Sequence, residues 1–155
     1  MSVTLYVVRH GHAVMHADTD AERPLSDIGQ KEAVLAAQHL KSVLPDVFLA
    51  SPYLRAQQTA HIIHESAGIT TPITTESGIT PDDHPTAVAE ILAAQGDNKT
   101  ILMVSHNPLV SALVSWLLDG HFQGPYVMGT ASVACLEAEL IGAGTATLKW
   151  LKHVN

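Results

Sequence analysis

Two arginines and three histidines fall into three short polar clusters of this sequence: Arg9-His10-Gly11-His12, Ser51-Pro52-Tyr53-Leu54-Arg55 and Ser105-His106-Asn107-Pro108. Each cluster follows directly on a short apolar run. Brought together, they would form a concentrated positive site, which suits a phosphoryl group. Guanidinium forks match its oxygens, and their fixed charge offsets the negative charge spread over those oxygens during transfer. A neutral imidazole can attack phosphorus and form a phosphohistidine that water then hydrolyses. Arginine stays protonated and cannot attack. The residue types therefore divide the work, with a histidine attacking and arginines holding and stabilising. Taken singly, each cluster also has a plain structural meaning. Arg9-His10-Gly11 fits a surface turn, Arg55 a solvated helix position and His106 a hydrogen-bonded core residue. The three together, all at the same kind of address, point to a site.

The elements that must position these clusters can be read from the apolar pattern. Val3 to Val8 is a short β-branched run of the kind found in strands buried on both faces. Ser26 is a candidate N-cap for a helix from Asp27 to about Leu44, with Ala33, Leu35, Ala36, Leu40 and Leu44 on its apolar positions and Pro45 as its stop. Val47 to Ala50 is a second strand, and Pro52 opens a helix to about Ser66. Residues 68–81 are loop-like. A third helix is expected from Pro85 to Gln95, with Gly96 after its end. Ile101 to Val104 is another strand, followed from Pro108 by a helix to about Leu118. Ala131 to Leu140 and Thr145 to Leu151 flank Ile141-Gly-Ala-Gly144 as a hairpin. This order predicts an α/β three-layer sandwich with a mostly parallel central sheet and a C-terminal antiparallel hairpin. In open sheets of this kind the carboxyl ends of parallel strands line the ligand crevice, which is where all three clusters lie.

Composition sets the outer limits. The 155 residues fit a single domain over 1–155, and an apolar fraction of 46% with only 15% charged residues fits a globular core. A net charge of −7 argues against nucleic-acid or anionic-membrane partners. The single cysteine, Cys135, excludes an intrachain disulfide and lies in an apolar alternating stretch that would bury it. Val3 to Val8 is too short for a signal peptide, and nothing approaches the ~20 apolar residues of a membrane span. A soluble cytoplasmic protein is the expectation.

At this point the clusters resemble a known family. Arg9-His10-Gly11 after an apolar strand is similar to the signature of the histidine phosphatase superfamily, which includes phosphoglycerate mutases and many small phosphatases. Ser51-Pro52-Tyr53-Leu54-Arg55-Ala56-Gln57-Gln58-Thr59-Ala60 resembles that family's S-P-x-x-R-A-x-Q-T-A segment, and Val104-Ser105-His106-Asn107-Pro108 its V-S-H block. The resemblance implies that His10 is the phosphorylated nucleophile, that Arg9, Arg55 and His106 form the phosphate pocket, and that Gly11 lets the chain pass close by. His16 and Asn107 join them as candidate substrate-binding residues. The short length, Arg23-Pro24-Leu25-Ser26 and Asn107-Pro108 are most similar to the SixA-type phosphohistidine phosphatases, whose substrate class is phosphohistidine on a signalling or phosphotransfer protein. The resemblance implies neither metal nor organic cofactor.

The sequence also departs from the pattern. His12 stands where many members have an acidic residue or Gln, and His16, with Asp18 nearby, stands where they often have Asn or Asp. The Glu general acid of the larger members aligns near Pro81, beside Asp82 and Asp83. An ester alkoxide needs that proton, whereas the nitrogen of phosphohistidine leaves more easily. Either aspartate could replace the acid, or serve only as a helix-start carboxylate. Three rival readings remain open: a zinc site built on His10-Gly-His12 and His16, a phosphatase for small phosphate esters, and a phosphate-binding module without catalysis. Trp116, Trp150, His61 and His64 read as packing or surface residues, and His121 lies in a loop that could border the pocket.

Overall fold

The structure, a computed structural model, describes residues 2–154. Its elements in chain order are β1 (Val3–Arg9), α1 (Asp27–Gln38), β2 (Val47–Ala50), α2 (Leu54–Ser66), β3 (Ile73–Thr75), α3 (Pro85–Ala93), β4 (Thr100–Ser105), α4 (Leu109–Asp119), β5 (Val133–Ala138) and β6 (Ala146–Lys152). A 3-10 turn, Asp20–Glu22, lies between β1 and α1. The strands form one six-stranded sheet in the order β3-β2-β4-β1-β5-β6. The first four run parallel, while β5 runs antiparallel to β1 and β6 antiparallel to β5. This is the expected α/β architecture, with the hairpin attached beside the first strand.

Alternation along the buried strands produces the layers. Leu5, Val7, Ile101, Met103 and Leu136 pack with Val88 and Leu92 of α3 and Leu109, Leu113 and Leu117 of α4. The opposite-pointing Val8, Phe48, Leu102, Val104 and Val133 pack with Ala36 and Leu40 of the α1 region and Ala56, Ala60 and Ile63 of α2. Two apolar cores thus lie on the two faces of the sheet, which requires strands that are apolar on both sides. Cys135 is free and buried, as its alternating context suggested. Trp150 packs its ring near Tyr6 and His39, and Trp116 stacks on Phe122. Among the described residues no helix is long and apolar enough to cross a membrane.

Several boundaries differ from the sequence reading, each for a physical reason. The first helix ends at Gln38, not near Leu44, and the chain tightens into turns with His39 and Leu40 bonded back to Ala36 and Ala37. Leu40 and Val43 stay buried through those turns, so their apolar spacing extends the helical pattern beyond the helix itself. Leu35 and Leu44 face solvent, at 47% and 87% exposure, and do not belong to the core. The second helix starts at Leu54, two residues after Pro52. Within the expected 68–81 loop, Ile73–Thr75 forms the edge strand β3. Its Ile-Thr-Thr sequence is β-branched, but at three residues it is too short to show alternation. Ser26 does cap α1, its side chain accepting from Gly29 N–H.

Candidate active site

Strand order brings the three clusters together. β4 lies between β1 and β2, with Arg9 opposite Ser105 and Ala50 opposite Val104. Their carboxyl ends are locked by His10 N–H donating to Ser105 O at 3.0 Å and Ser51 N–H donating to Val104 O at 3.1 Å. His10, Arg55 and His106 are all buried, at 7%, 4% and 1% exposure. The His10 and His106 rings lie 5.0 Å apart, and the Tyr53 ring meets His106 edge-on at the same separation.

The partners of His10 fix its protonation state. Nδ1 lies 2.6 Å from Gly11 O, which can only accept, so Nδ1 carries the proton. Nε2 lies 3.3 Å from Arg55 Nε, which can only donate, so Nε2 carries a lone pair. Burial pushes the His10 pKa down to about 4, helped by the charges of Arg55, Arg9 and Arg23 and opposed by the Gly11 hydrogen bond. Burial likewise pushes His106 down to about 3, with further lowering from His10 and Arg55. Both rings are neutral at pH 7. His106 Nε2 lies 2.7 Å from Ser51 Oγ, which also accepts from Tyr53 N–H.

These depressed values predict a pH dependence of stability. Between the unfolded imidazole value of about 6.5 and the native values near 4 and 3, unfolding takes up protons at both sites. Stability from the two neutral rings is complete above about pH 6.5 and is lost as pH falls toward 4. Thermal unfolding between pH 7.5 and 4 should show a falling melting temperature. The double variant His10→Gln, His106→Gln should flatten that fall, and an unchanged slope would contradict the assignment.

The arginines are held from outside the three clusters. Arg9 Nη1 donates to Met128 O at 3.2 Å, and Asn107 Nδ2 donates to the same carbonyl at 2.9 Å. Asn107 Oδ1 accepts from Ser111 N and Oγ, so the Asn107 side chain braces Met128, the carbonyl that anchors Arg9. Arg55 lies over the Tyr53 ring at 5.1 Å and donates from Nη1 to Asp20 O at 2.7 Å and from Nη2 to Asp20 Oδ2 at 3.2 Å. Arg23 grips the same carboxylate, Nη1 to Oδ1 at 2.8 Å, while its Nε donates to Val14 O. Among the described residues, the buried side-chain polar atoms without a hydrogen-bond partner are Arg9 Nε and His106 Nδ1. Both belong to this site.

Three supporting residues were not singled out from the sequence. Thr59 accepts from Gly11 N–H and donates to Arg55 O, tying the first cluster to the second. Glu32, 6% exposed, accepts from His12 N–H and from Thr130 Oγ1. Asp20 reaches Arg55 across 35 residues, and no local pattern marks it. Gly11 serves a close approach, but to protein: a Cβ there would stand 2.6 Å from Gly29 O. A Cβ on Gly29 would in turn lie 1.9 Å from His12 O, so the loop after β1 and the first turn of α1 fit only as paired glycines.

The remaining candidates lie in other settings. His12 is exposed and its Nδ1 lies 2.7 Å from Ser26 Oγ, at the start of α1. His16 is exposed on the segment leading to the 3-10 turn. Among the described residues, no three His, Cys, Asp or Glu side chains are grouped to hold a metal ion. Asp83 Oδ2 accepts from Thr80 N and Oγ1, and Asp82 is exposed beside it. That loop is tethered to the site by Ser105 Oγ donating to Ile79 O. His121 is exposed, next to Phe122.

Comparison with known proteins agrees with this geometry. A profile of the histidine phosphatase superfamily (branch 1) matches residues 5–80. A phosphohistidine phosphatase SixA homolog of Haemophilus influenzae is 36% identical over 126 residues, covering 74% of this chain and 77% of that protein. The phosphohistidine phosphatase SixA of Escherichia coli is 30% identical over 145 residues, covering 91% and 89%. The solved structure of the protein histidine phosphatase SixA complexed with tungstate superposes with a TM-score of 0.87 at 30% identity, covering 97% and 96% of the two chains. With similarity running along nearly the whole chain, and with the Arg-His-Gly, Ser-Pro-x-x-Arg and Val-Ser-His segments meeting at one sheet end, this chain belongs to the histidine phosphatase superfamily.

Proposed function

We propose that this protein is a phosphohistidine phosphatase in which His10 Nε2 attacks the phosphoryl group of a phosphorylated protein. The observation that carries the reading is the pair of unpartnered buried atoms, Arg9 Nε and His106 Nδ1, beside a histidine whose reactive nitrogen bears a lone pair. Burying a polar group without a partner costs on the order of 1–3 kcal/mol, and a tetrahedral oxyanion would relieve that cost here. Tungstate, bound by the structural relative, is such an ion.

The steps follow from the atoms present. The phosphoryl group docks against Arg9, Arg55 and His106. The lone pair on His10 Nε2 forms the new P–N bond as the bond to the leaving nitrogen breaks, and that electron pair returns to the leaving ring. Gly11 O stabilises the positive charge that develops on His10, through Nδ1–H. Water then attacks the phosphohistidine, releasing phosphate and restoring the neutral imidazole. A leaving imidazole already protonated on its distal nitrogen needs no general acid. That fits the setting of the two acid candidates read from the sequence, Asp83, engaged by Thr80, and the exposed Asp82. In this reading residues 1–155 act as one catalytic domain in the cytoplasm, with a phosphohistidine-bearing protein as partner and no metal taking part.

The test compares phosphate release from a phosphohistidine-bearing protein and from an aryl phosphate, both with chelator present. Preference for phosphohistidine is expected. Preference for the ester would turn the reading toward small phosphate esters, with Asp82 as the residue to replace next. Loss of both activities with chelator would instead revive a metal at the histidines.

A further inference from the structure

Arg55 is the most heavily engaged side chain of the site, and the partner that engages it is acidic. Its Nε faces His10 Nε2 at 3.3 Å, its Nη1 faces Asp20 O at 2.7 Å and its Nη2 faces Asp20 Oδ2 at 3.2 Å. Each of the three guanidinium nitrogens that could donate to phosphoryl oxygens therefore has one N–H already engaged, and a second N–H remains on each Nη. The Asp20 side chain is 56% exposed whereas that of Arg55 is 5% exposed, so the carboxylate stands on the solvent side of the guanidinium. Burial works to raise the Asp20 carboxyl, but the hydrogen bonds from Arg23 and Arg55 and their charges hold it below its usual value. It is an anion throughout the neutral range. Its charge is also felt at His106, so it acts on the pocket as a whole.

We propose that Asp20 is a specificity-determining residue: by occupying Arg55 with a carboxylate at the pocket mouth, it weakens binding of phosphate dianions and favours substrates whose leaving group is cationic. The proposal rests on the phosphohistidine reading and deepens it.

The physical argument is a comparison of charges. Free phosphate and a simple phosphate ester bring only negative charge to the mouth. At Arg55 Nη2 they compete with Asp20 Oδ2, and two anions come close together in a partly desolvated setting. A phosphohistidine with its distal nitrogen protonated brings the same phosphoryl oxygens together with a positive ring on the leaving side. Asp20 attracts that ring while Arg9, Arg55 and His106 take the phosphoryl group. After transfer the ring departs as neutral imidazole, taking back the P–N electron pair, and the attraction is gone. Phosphate formed by hydrolysis then meets the same carboxylate as a competitor for Arg55, which favours its release. One residue thus discriminates between substrate classes by attraction and by repulsion together.

The experiment uses the full chain and two conservative variants, Asp20→Asn and Arg23→Gln. Orthophosphate binding is read by calorimetry, independently of any substrate. Asp20→Asn, which keeps the backbone carbonyl and the side-chain size, should bind orthophosphate about 5- to 10-fold more tightly, with a smaller difference at high salt. Unchanged or weaker binding would overturn the proposal. Arg23→Gln breaks the 2.8 Å contact to Asp20 but leaves the carboxylate beside Arg55, and should bind orthophosphate more weakly. If it binds as tightly as Asp20→Asn, loosening of the segment explains both results and the proposal fails. The second readout is the ratio of kcat/KM for a phosphohistidine protein to that for an aryl phosphate, expected to fall about 10-fold in Asp20→Asn. A parent enzyme with no phosphohistidine activity would refute the proposed function, while the orthophosphate result still decides the competition at Arg55. A parent that prefers phosphohistidine, with a ratio unchanged in Asp20→Asn, would refute the role of Asp20 alone.

Discussion

His10→Ala should fold and release no phosphate, with turnover lower by about four to six orders of magnitude, because no other group replaces the lone pair that attacks phosphorus. The neighbouring groups do not offer a substitute. His106 Nε2 is engaged with Ser51 Oγ, and the arginines remain protonated. The fold should survive because the apolar cores on both faces of the sheet do not depend on this ring. The truncation leaves Gly11 O and Arg55 Nε without a partner, at roughly 1–3 kcal/mol for each buried group. It also removes a neutral base held among positive charges. Trapping gives the decisive readout. The parent protein, quenched during turnover, should carry up to one equivalent of phosphate that is lost in acid and retained in base, as a P–N bond requires. His10→Ala should carry none. Continued turnover in a folded His10→Ala protein would remove the covalent mechanism.

Arg55→Lys is expected to have the second largest effect, a fall in kcat on the order of 10²–10³ together with weaker phosphate binding. The charge is retained, so the loss measures geometry. Arg55 places Nε on His10 Nε2 and both Nη atoms on Asp20, a planar fork that a single ammonium cannot reproduce. The stacking of Arg55 over Tyr53 fixes the plane of that fork. Because ground state and transition state both carry the phosphoryl charge, KM should rise as kcat falls, and Arg55→Ala should exaggerate both changes. An Arg55→Lys enzyme with parental kinetics would show that Arg55 serves only to bind Asp20.

Asp20 connects these expectations. Among the described residues it is the acid paired with both Arg55 and Arg23. Loss of Arg55 should therefore also free Asp20, and part of the Arg55→Lys defect should be recovered in the double variant Arg55→Lys, Asp20→Asn. Neighbouring groups in one ion-pair network are not expected to give additive effects.

Much of this protein is determined locally. The runs Val3 to Val8, Val47 to Ala50 and Ile101 to Val104 are strands because β-branched and apolar residues continue on both faces, which only a sheet covered on both sides can bury. Ser26 caps its helix because a short side-chain oxygen can accept from Gly29 N–H. The glycines of Ile141-Gly-Ala-Gly144 turn the chain between β5 and β6. The three polar clusters are legible for the same reason: each marks the end of a locally encoded strand, and the residue types limit the chemistry.

Tertiary structure decided what depends on residues distant in sequence. Placement of β4 between β1 and β2 makes three strand ends into one pocket, and no residue in any one strand records that order. Ile73–Thr75 became a strand because β2 offered it an edge. The supports of the site, Thr59 beneath Gly11, Glu32 beneath His12 and Met128 O beneath Arg9, are contacts spanning 48, 20 and 119 residues. Asp20 is the sharpest case. In the sequence it is one acidic residue in a polar stretch, and only the closing of that segment over Arg55 gives its charge a position in the site. Periodicity reports which face of an element is apolar, whereas the site is set by where the elements meet, and that information resides in the packed chain.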